Sequence, residues 1–172
     1  MRNIKRLLAV LLVCMISIGC VACSGTTSEE SSKVNLEDMT GSEKVDYFIT
    51  KGKSDYEAVK DDSDKLTELG VQYLKDLKKY VNNETQFDND ANMEDIMTKG
   101  GFLYQYGKDT MDILESAGKQ ESKEYSTAKL LNELGTDSIQ MVKYVYRGIE
   151  KPDDSATISN IKQVKKSIEG LQ

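Results

Sequence analysis

The chain has 172 residues, no histidine, no tryptophan and a formal charge of −6 at pH 7. This length suits one domain with a single core. The acidic balance argues against a nucleic-acid partner, because binding that polyanion requires a basic footprint. The lack of histidine removes the common proton shuttle and the commonest neutral metal ligand.

The first 25 residues have the order of a secretory signal peptide. Arg2, Lys5 and Arg6 are followed by an apolar run over residues 7–21 and then by small residues. The run is short for a permanent membrane span and has the wrong flanks for one. We therefore expect residues 1–22 to be a signal peptide that is removed.

Two cysteines stand at the end of this segment. Cys20 follows Gly19, whereas Cys23 follows Ala22 and precedes a Ser-Gly pair. The segment resembles the lipobox of bacterial lipoproteins, in which the cysteine after the cleavage site is lipidated and becomes the mature N-terminus. The resemblance implies lipidation at Cys23, with Cys20 as the alternative, and a lipid anchor on the extracytoplasmic face of a bacterial cell membrane.

No cysteine follows Cys23, so the domain has no residues for a thiolate metal site or a CxxC redox centre. Residues 1–22 carry three of the 23 basic residues and no acidic residue, so the remaining chain has 20 against 29 and a formal charge of −9. This charge further disfavours nucleic acid and also lowers attraction to anionic lipid heads.

Residues 23–41 are rich in serine, threonine and glutamate and contain few apolar positions. We interpret them as a disordered tether between the lipid anchor and the domain. A flexible chain of this length would hold the domain roughly 25 Å from the membrane.

Residues 42–82 show a helical pattern, with apolar or small residues every seven positions at Val45, Gly52, Val59, Leu66, Tyr73 and Tyr80. Such a stripe indicates a helix with one buried side. A polar stretch from Lys60 to Lys65 interrupts it, and either Asp62 or Ser63 could cap a new helix there. We favour one long helix, with a kink as an option, followed by a turn over residues 83–91.

Three further helices are predicted in the rest of the chain. The second extends from about Asn92 to Ser116 and the third from about Glu121 to Ile149, with Gly118 and Gly148 near their ends. The last begins near Asp154 or Ser155, and its apolar positions are Ile158, Ile161, Val164, Ile168 and Leu171. The sequence therefore predicts an all-α fold over residues 42–172, an antiparallel bundle of three long helices and a shorter C-terminal helix.

The second helix carries a seam of residues spaced alternately by fours and threes: Met93, Met97, Gly100, Tyr104, Gly107, Met111 and Leu114. Glycine within a helix costs about 1 kcal/mol relative to alanine, so the glycines need a compensating cause. Close approach of a facing helix is the favoured cause. The alternative is a cavity for an apolar or aromatic ligand, lined by Met97, Tyr104 and Met111, with Tyr73 or Tyr80 as further candidates.

Two other kinds of site are weak alternatives. Asp88, Asp90, Asn92 and Glu94 occupy alternate positions as in a calcium loop, but the glycine and the bidentate glutamate of an EF-hand are missing. Carboxylate pairs such as Glu57 with Asp61 and Asp64 with Glu68 are spread among lysines, which is typical of solvated helix faces. This arrangement disfavours a carboxylate-dependent cell-wall hydrolase, which is the remaining alternative.

These patterns predict a non-enzymatic binding or interaction module, held at the membrane by its lipid anchor, without a cofactor or a metal. We expect its partner to be another envelope protein or an extracellular protein. A small-ligand carrier or sensor with a cavity at the seam of Gly100 and Gly107 is the main alternative.

Overall fold

A computed structural model describes residues 35–82, 89–148 and 154–171, and these are helical with no strand among them. Five α-helices are present in these ranges: α1 (Gly41–Glu57), α2 (Ser63–Val81), α3 (Asp90–Ser116), α4 (Lys123–Tyr146) and α5 (Asp154–Gly170). The all-α prediction is therefore confirmed. The predicted signal peptide and both candidate lipidation cysteines lie outside the described residues.

The single helix predicted over residues 42–82 is wrong, because α1 ends at Glu57 and α2 begins at Ser63. Asp62 is the N-cap of α2, and its side chain accepts a hydrogen bond from Lys65 N at 3.2 Å. This bond satisfies one of the free amides that every helix start exposes. Asp62 was one of the two predicted caps, so the polar interruption marks the start of a new helix.

The predicted tether is too long at its C-terminal end. Residues 35–41 include a short 3₁₀ helix, Leu36–Asp38, and the start of α1, and Leu36 packs partly against the core. Thr40 and Glu43 form a capping box: the Glu43 carboxylate accepts from Thr40 N at 2.8 Å, and the Thr40 hydroxyl accepts from Glu43 N at 3.3 Å. This reciprocal pair starts α1 before the first apolar residue. Residues 23–34 lie outside the described residues.

Helices α3 and α4 begin at caps next to their predicted starts. Asn89 accepts from Asn92 N at 3.0 Å, and Ser122 accepts from Tyr125 N at 3.1 Å. Beyond the helix ends, Gly118 and Gly148 have φ angles of 68° and 67°, which favour glycine. Their predicted place at helix ends is confirmed.

Helix α3 is the central helix of the domain and is buried on several sides. Its buried residues include the seam positions Met93, Met97, Gly100, Gly107 and Leu114, and also Ile96, Gly101, Phe102, Leu103 and Tyr106. Full burial of one such large apolar side chain stabilises the fold by about 1.5–3 kcal/mol. The buried surface of α3 is thus much wider than one heptad seam, because it packs against α1 and α2 as well as α4.

Helix α5 packs mainly on α4 and buries Val164 and Ile168, and Leu171 directly after the helix is also buried. Ile158 was predicted on the same apolar face, but half of its surface is exposed, at 50%. Ile161 is partly buried. The buried face of α5 therefore covers its C-terminal part.

Candidate functional site

The predicted seam residues lie in the middle of α3, and they do not share one environment. Met97, Gly100 and Gly107 are buried, whereas Tyr104 and Met111 are partly exposed. Gly100 and Gly107 both face α4, whose backbone approaches them closely.

The space beside Gly100 and Gly107 is filled by α4. A methyl group on Gly100 would lie 2.9 Å from Gly135 O and 2.9 Å from Ile139 Cγ1, and one on Gly107 would lie 2.5 Å from Ala128 O. Distances below 3 Å require the backbone to shift, so these glycines allow two helices to touch. On the side that faces α4, the two glycines themselves therefore leave no space for a ligand.

A second close approach, on the other side of α3, was not predicted from the sequence. A methyl group on Gly52 of α1 would lie 2.8 Å from Phe102 N, and one on Gly101 would lie 3.2 Å from Ile49 C. Adjacent glycines at 100 and 101 therefore face different helices, α4 and α1. The double glycine was the available signal, because consecutive helix residues point about 100° apart.

Tyr104 lines an open groove between α1 and α4, with a volume of about 260 Å³. We call it the α1–α4 groove, and its lining residues are Val45, Asp46, Ile49, Lys53, Tyr104, Thr136, Ile139, Gln140, Lys143 and Arg147. Met97 and Met111 do not line it. Of the predicted ligand-lining residues, Tyr104 therefore lines this groove, whereas Tyr73 and Tyr80 do not.

The α1–α4 groove is cationic, although the chain as a whole is acidic. Lys53, Lys143 and Arg147 line it together with the carboxylate of Asp46. The Lys53 ammonium lies 5.0 Å from the Tyr104 ring centroid, within the range of a cation–π contact. Arg147 Nε is buried and has no hydrogen-bond partner within the described part of the chain. The groove thus holds donors and positive charge beside an apolar floor.

A second polar cluster surrounds Lys99 of α3, whose side chain is only 12% exposed. Its ammonium lies 2.8 Å from an Asp76 carboxylate oxygen and also donates to Asp95. It lies 5.6 Å from the ring centroid of Tyr73, while the Tyr80 hydroxyl donates to Asp95 at 2.8 Å. The cluster joins α2 to α3 through a partly buried network.

The charges of this cluster favour a structural role. Burial raises the pKa of Asp76, but hydrogen bonds from Lys99 and Gln72 outweigh it, so the pKa lies below its ordinary value. Burial opposes the charge of Lys99, yet the bonds to Asp76 and Asp95 raise its pKa. Both partners are therefore held in their charged forms, the opposite of a carboxylic acid prepared to donate a proton.

The weak alternatives from the sequence receive little geometric support. Asp88 of the calcium-like stretch lies outside the described residues, and Asp90 is in the first turn of α3. Glu57 pairs with Lys60 at 2.7 Å on the surface. Across residues 35–82, 89–148 and 154–171, no three His, Cys, Asp or Glu side chains are arranged to hold a metal ion.

No protein family, curated protein or solved structure gives a significant match to this chain. Within the described ranges, none of the helices combines the length and apolarity needed to cross a membrane.

Proposed function

We propose that this protein is a lipid-anchored, extracytoplasmic binding module that contacts another protein and performs no chemistry itself. One observation carries the proposal: a charged start, an apolar run and a cysteine after small residues precede an acidic helical domain. A lipidated Cys23, or Cys20 as the alternative, would hold the domain in water beside the membrane. Such a place suits contact with an envelope or extracellular protein.

The proposal includes an antiparallel arrangement in which each helix runs opposite to the one before it. Contacts of Gly100 with Gly135 and of Gly107 with Ala128 support this direction for α3 and α4. Tyr80 with Asp95 supports it for α2 and α3. Such a bundle presents rigid helix faces, which suit recognition of a protein surface.

Two exposed side chains are candidates for the partner contact. Tyr144 of α4 is 44% exposed and Ile158 of α5 is 50% exposed, and they are the large hydrophobic residues with high exposure in the described ranges. Both lie within about two turns of the connection between α4 and α5. Tyrosine is enriched at protein interfaces, because it offers a large apolar ring with a polar end.

The absence of enzymatic activity is part of the proposal, and the Lys99 cluster supports it. The Asp76 and Asp95 carboxylates both contact the Lys99 ammonium. Glycosidase chemistry needs one carboxyl group with a raised pKa and a second one across a cleft. The lowered pKa of Asp76 fits a structural ion pair better.

The test is photo-cross-linking of the lipidated protein in intact cells, with a photoreactive residue at Tyr144 or at Ile158. We expect both positions to yield the same cross-linked partner protein. Matched probes at Lys75 and Lys119, which are exposed and belong to no ion pair within the described residues, should not yield it. Identical products from all four positions, or none from Tyr144 and Ile158, would contradict the proposed contact.

A further inference from the structure

The α1–α4 groove has the chemistry of a small-molecule site and is distinct from the proposed partner contact. Its apolar floor consists of Val45, Ile49 and Ile139, with the Tyr104 ring beside it. Its cations outnumber its single carboxylate by two. In a chain with six more acidic than basic residues, this local excess of positive charge selects an anion with an apolar body.

Arg147 indicates where the anionic group would bind. Its Nε is buried without a hydrogen-bond partner among the described residues, and Arg147 is one of the residues that line the groove. An unpaired buried donor costs about 1–3 kcal/mol, so such a group calls for an acceptor. A guanidinium offers a planar pair of donors that matches both oxygens of a carboxylate.

The lysines of the groove are available for the same anion. Lys53 and Lys143 contact the rings of Tyr104 and Tyr144, at 5.0 and 4.9 Å from the centroids. Neither belongs to an ion pair within the described residues, whereas Lys99 and Lys108 do. Contact with a ring leaves the ammonium donors free to approach an anion.

The dimensions of the groove decide between a small molecule and a helical peptide. On α1 it extends from Val45 to Lys53, about 12 Å at the helical rise. Its volume of about 260 Å³ is slightly below the range of about 300–1,000 Å³ for small-molecule sites. A bound helix about 10 Å wide with several anchor side chains needs a larger groove.

We propose that the α1–α4 groove binds a small amphipathic carboxylate, with the carboxylate on Arg147 and the apolar body along Ile49, Ile139 and Tyr104. Lys143 and Lys53 add long-range attraction to the anion. This assignment does not depend on the protein partner, because Tyr144 and Ile158 are outside the groove lining.

The probe is phenylpropionate, which joins one carboxylate to an apolar ring. The full lipidated protein in lipid nanodiscs is titrated with it by calorimetry, with empty nanodiscs as the blank. We expect saturable binding that weakens as salt is added. Phenylpropanol, which has the same body without the charge, should bind at least tenfold more weakly.

Substitutions locate the site. Arg147→Gln should weaken phenylpropionate binding at least tenfold, and Arg147→Lys should weaken it too, because lysine lacks the planar fork. Lys75→Gln removes one positive charge from an exposed position outside the groove, so its affinity should stay within twofold of the wild type. Gln140→Trp, which places a bulky ring in the groove, should abolish binding even if the Arg147 variants fail to fold.

Several outcomes would overturn this proposal. Equal affinity for the acid and the alcohol would show that the charge is not recognised. Unchanged binding in folded Arg147→Gln or Gln140→Trp would place the ligand elsewhere. No saturable binding by the wild type, or binding of an acidic peptide in place of phenylpropionate, would reject a small-carboxylate site. None of these results bears on the cross-links from Tyr144 and Ile158.

Discussion

Alanine at position 107 tests whether the α3–α4 contact depends on glycine. The added methyl group would lie 2.5 Å from Ala128 O and 2.8 Å from Asn132 Cβ. These atoms belong to the backbone of α4 or are attached directly to it. The overlap can therefore be relieved only if α3 and α4 move apart. Asn132 also donates to Tyr104 O at 3.0 Å, and the same movement would break this bond.

The magnitude of the effect follows from three contributions. Overpacking costs about 1–3 kcal/mol. Loss of the Asn132 hydrogen bond adds about 1 kcal/mol. Alanine recovers about 1 kcal/mol through its higher helix propensity. We therefore expect Gly107→Ala to lower the free energy of unfolding by about 1–3 kcal/mol.

The assay is urea denaturation followed by far-ultraviolet circular dichroism. Gly170→Ala is the matched control, since its methyl group would meet only the side chain of Leu130, at 3.0 Å from Cδ1. That flexible side chain can move, and alanine has the higher helix propensity, so the control should be as stable as the wild type or more stable by up to about 1 kcal/mol. A Gly107→Ala protein as stable as the wild type, or more stable, would refute the close contact between α3 and α4.

Other substitutions test the remaining contacts. Gly52→Ala should be at least as destabilising as Gly107→Ala, because its methyl group would overlap a backbone carbonyl of α3; equal stability to wild type in the same urea assay would contradict this. Lys99→Met should lower the free energy of unfolding by about 1–3 kcal/mol, since it leaves partly buried carboxylates without their cation. Lys108→Met is the control, because it removes an exposed ion pair on the same helix and should change the free energy of unfolding by less than about 0.5 kcal/mol. Similar losses of stability in both variants would show that burial of the Lys99 ion pair does not matter. Because the folded pKa of Asp76 is lowered, its contribution is present above its ordinary pKa and is lost as pH falls through the folded value. Urea titrations across acidic pH should therefore show a shallower acid loss in Lys99→Met than in wild type, and parallel curves would argue against the ion pair. Asp62→Ala should cost about 1 kcal/mol and increase amide exchange in the first turn of α2, whereas unchanged exchange would show that the cap is dispensable.

The division between α1 and α2 shows why spacing alone gave the wrong prediction. Val59 and Leu66 continue the seven-residue spacing of Val45 and Gly52, although α1 ends at Glu57, before Val59, and α2 begins only at Ser63. Apolar spacing indicates which residues face the core, and both α1 and α2 have a face toward the core. The N-cap Asp62 determines where α2 begins, and this capping signal depends on a single side chain.

The candidate site was predicted only in part, because it depends on which helices meet. Helical period placed Gly100, Tyr104 and Gly107 on α3, where the structure has them. The period could not predict that Tyr104 would border a groove with Lys53, Lys143 and Arg147, which come from two other helices. Those cations carry no local motif, and only tertiary packing brings them together.

The anchor is the claim on which the proposed function depends most, and mass spectrometry of the mature protein from membranes tests it directly. We predict an N-terminal peptide that begins at a lipidated Cys23, with residues 1–22 absent. A lipidated Cys20 would move the cleavage site and keep the anchor. An N-terminus at Met1, or a mature chain without lipid, would contradict the proposed membrane-anchored binding module.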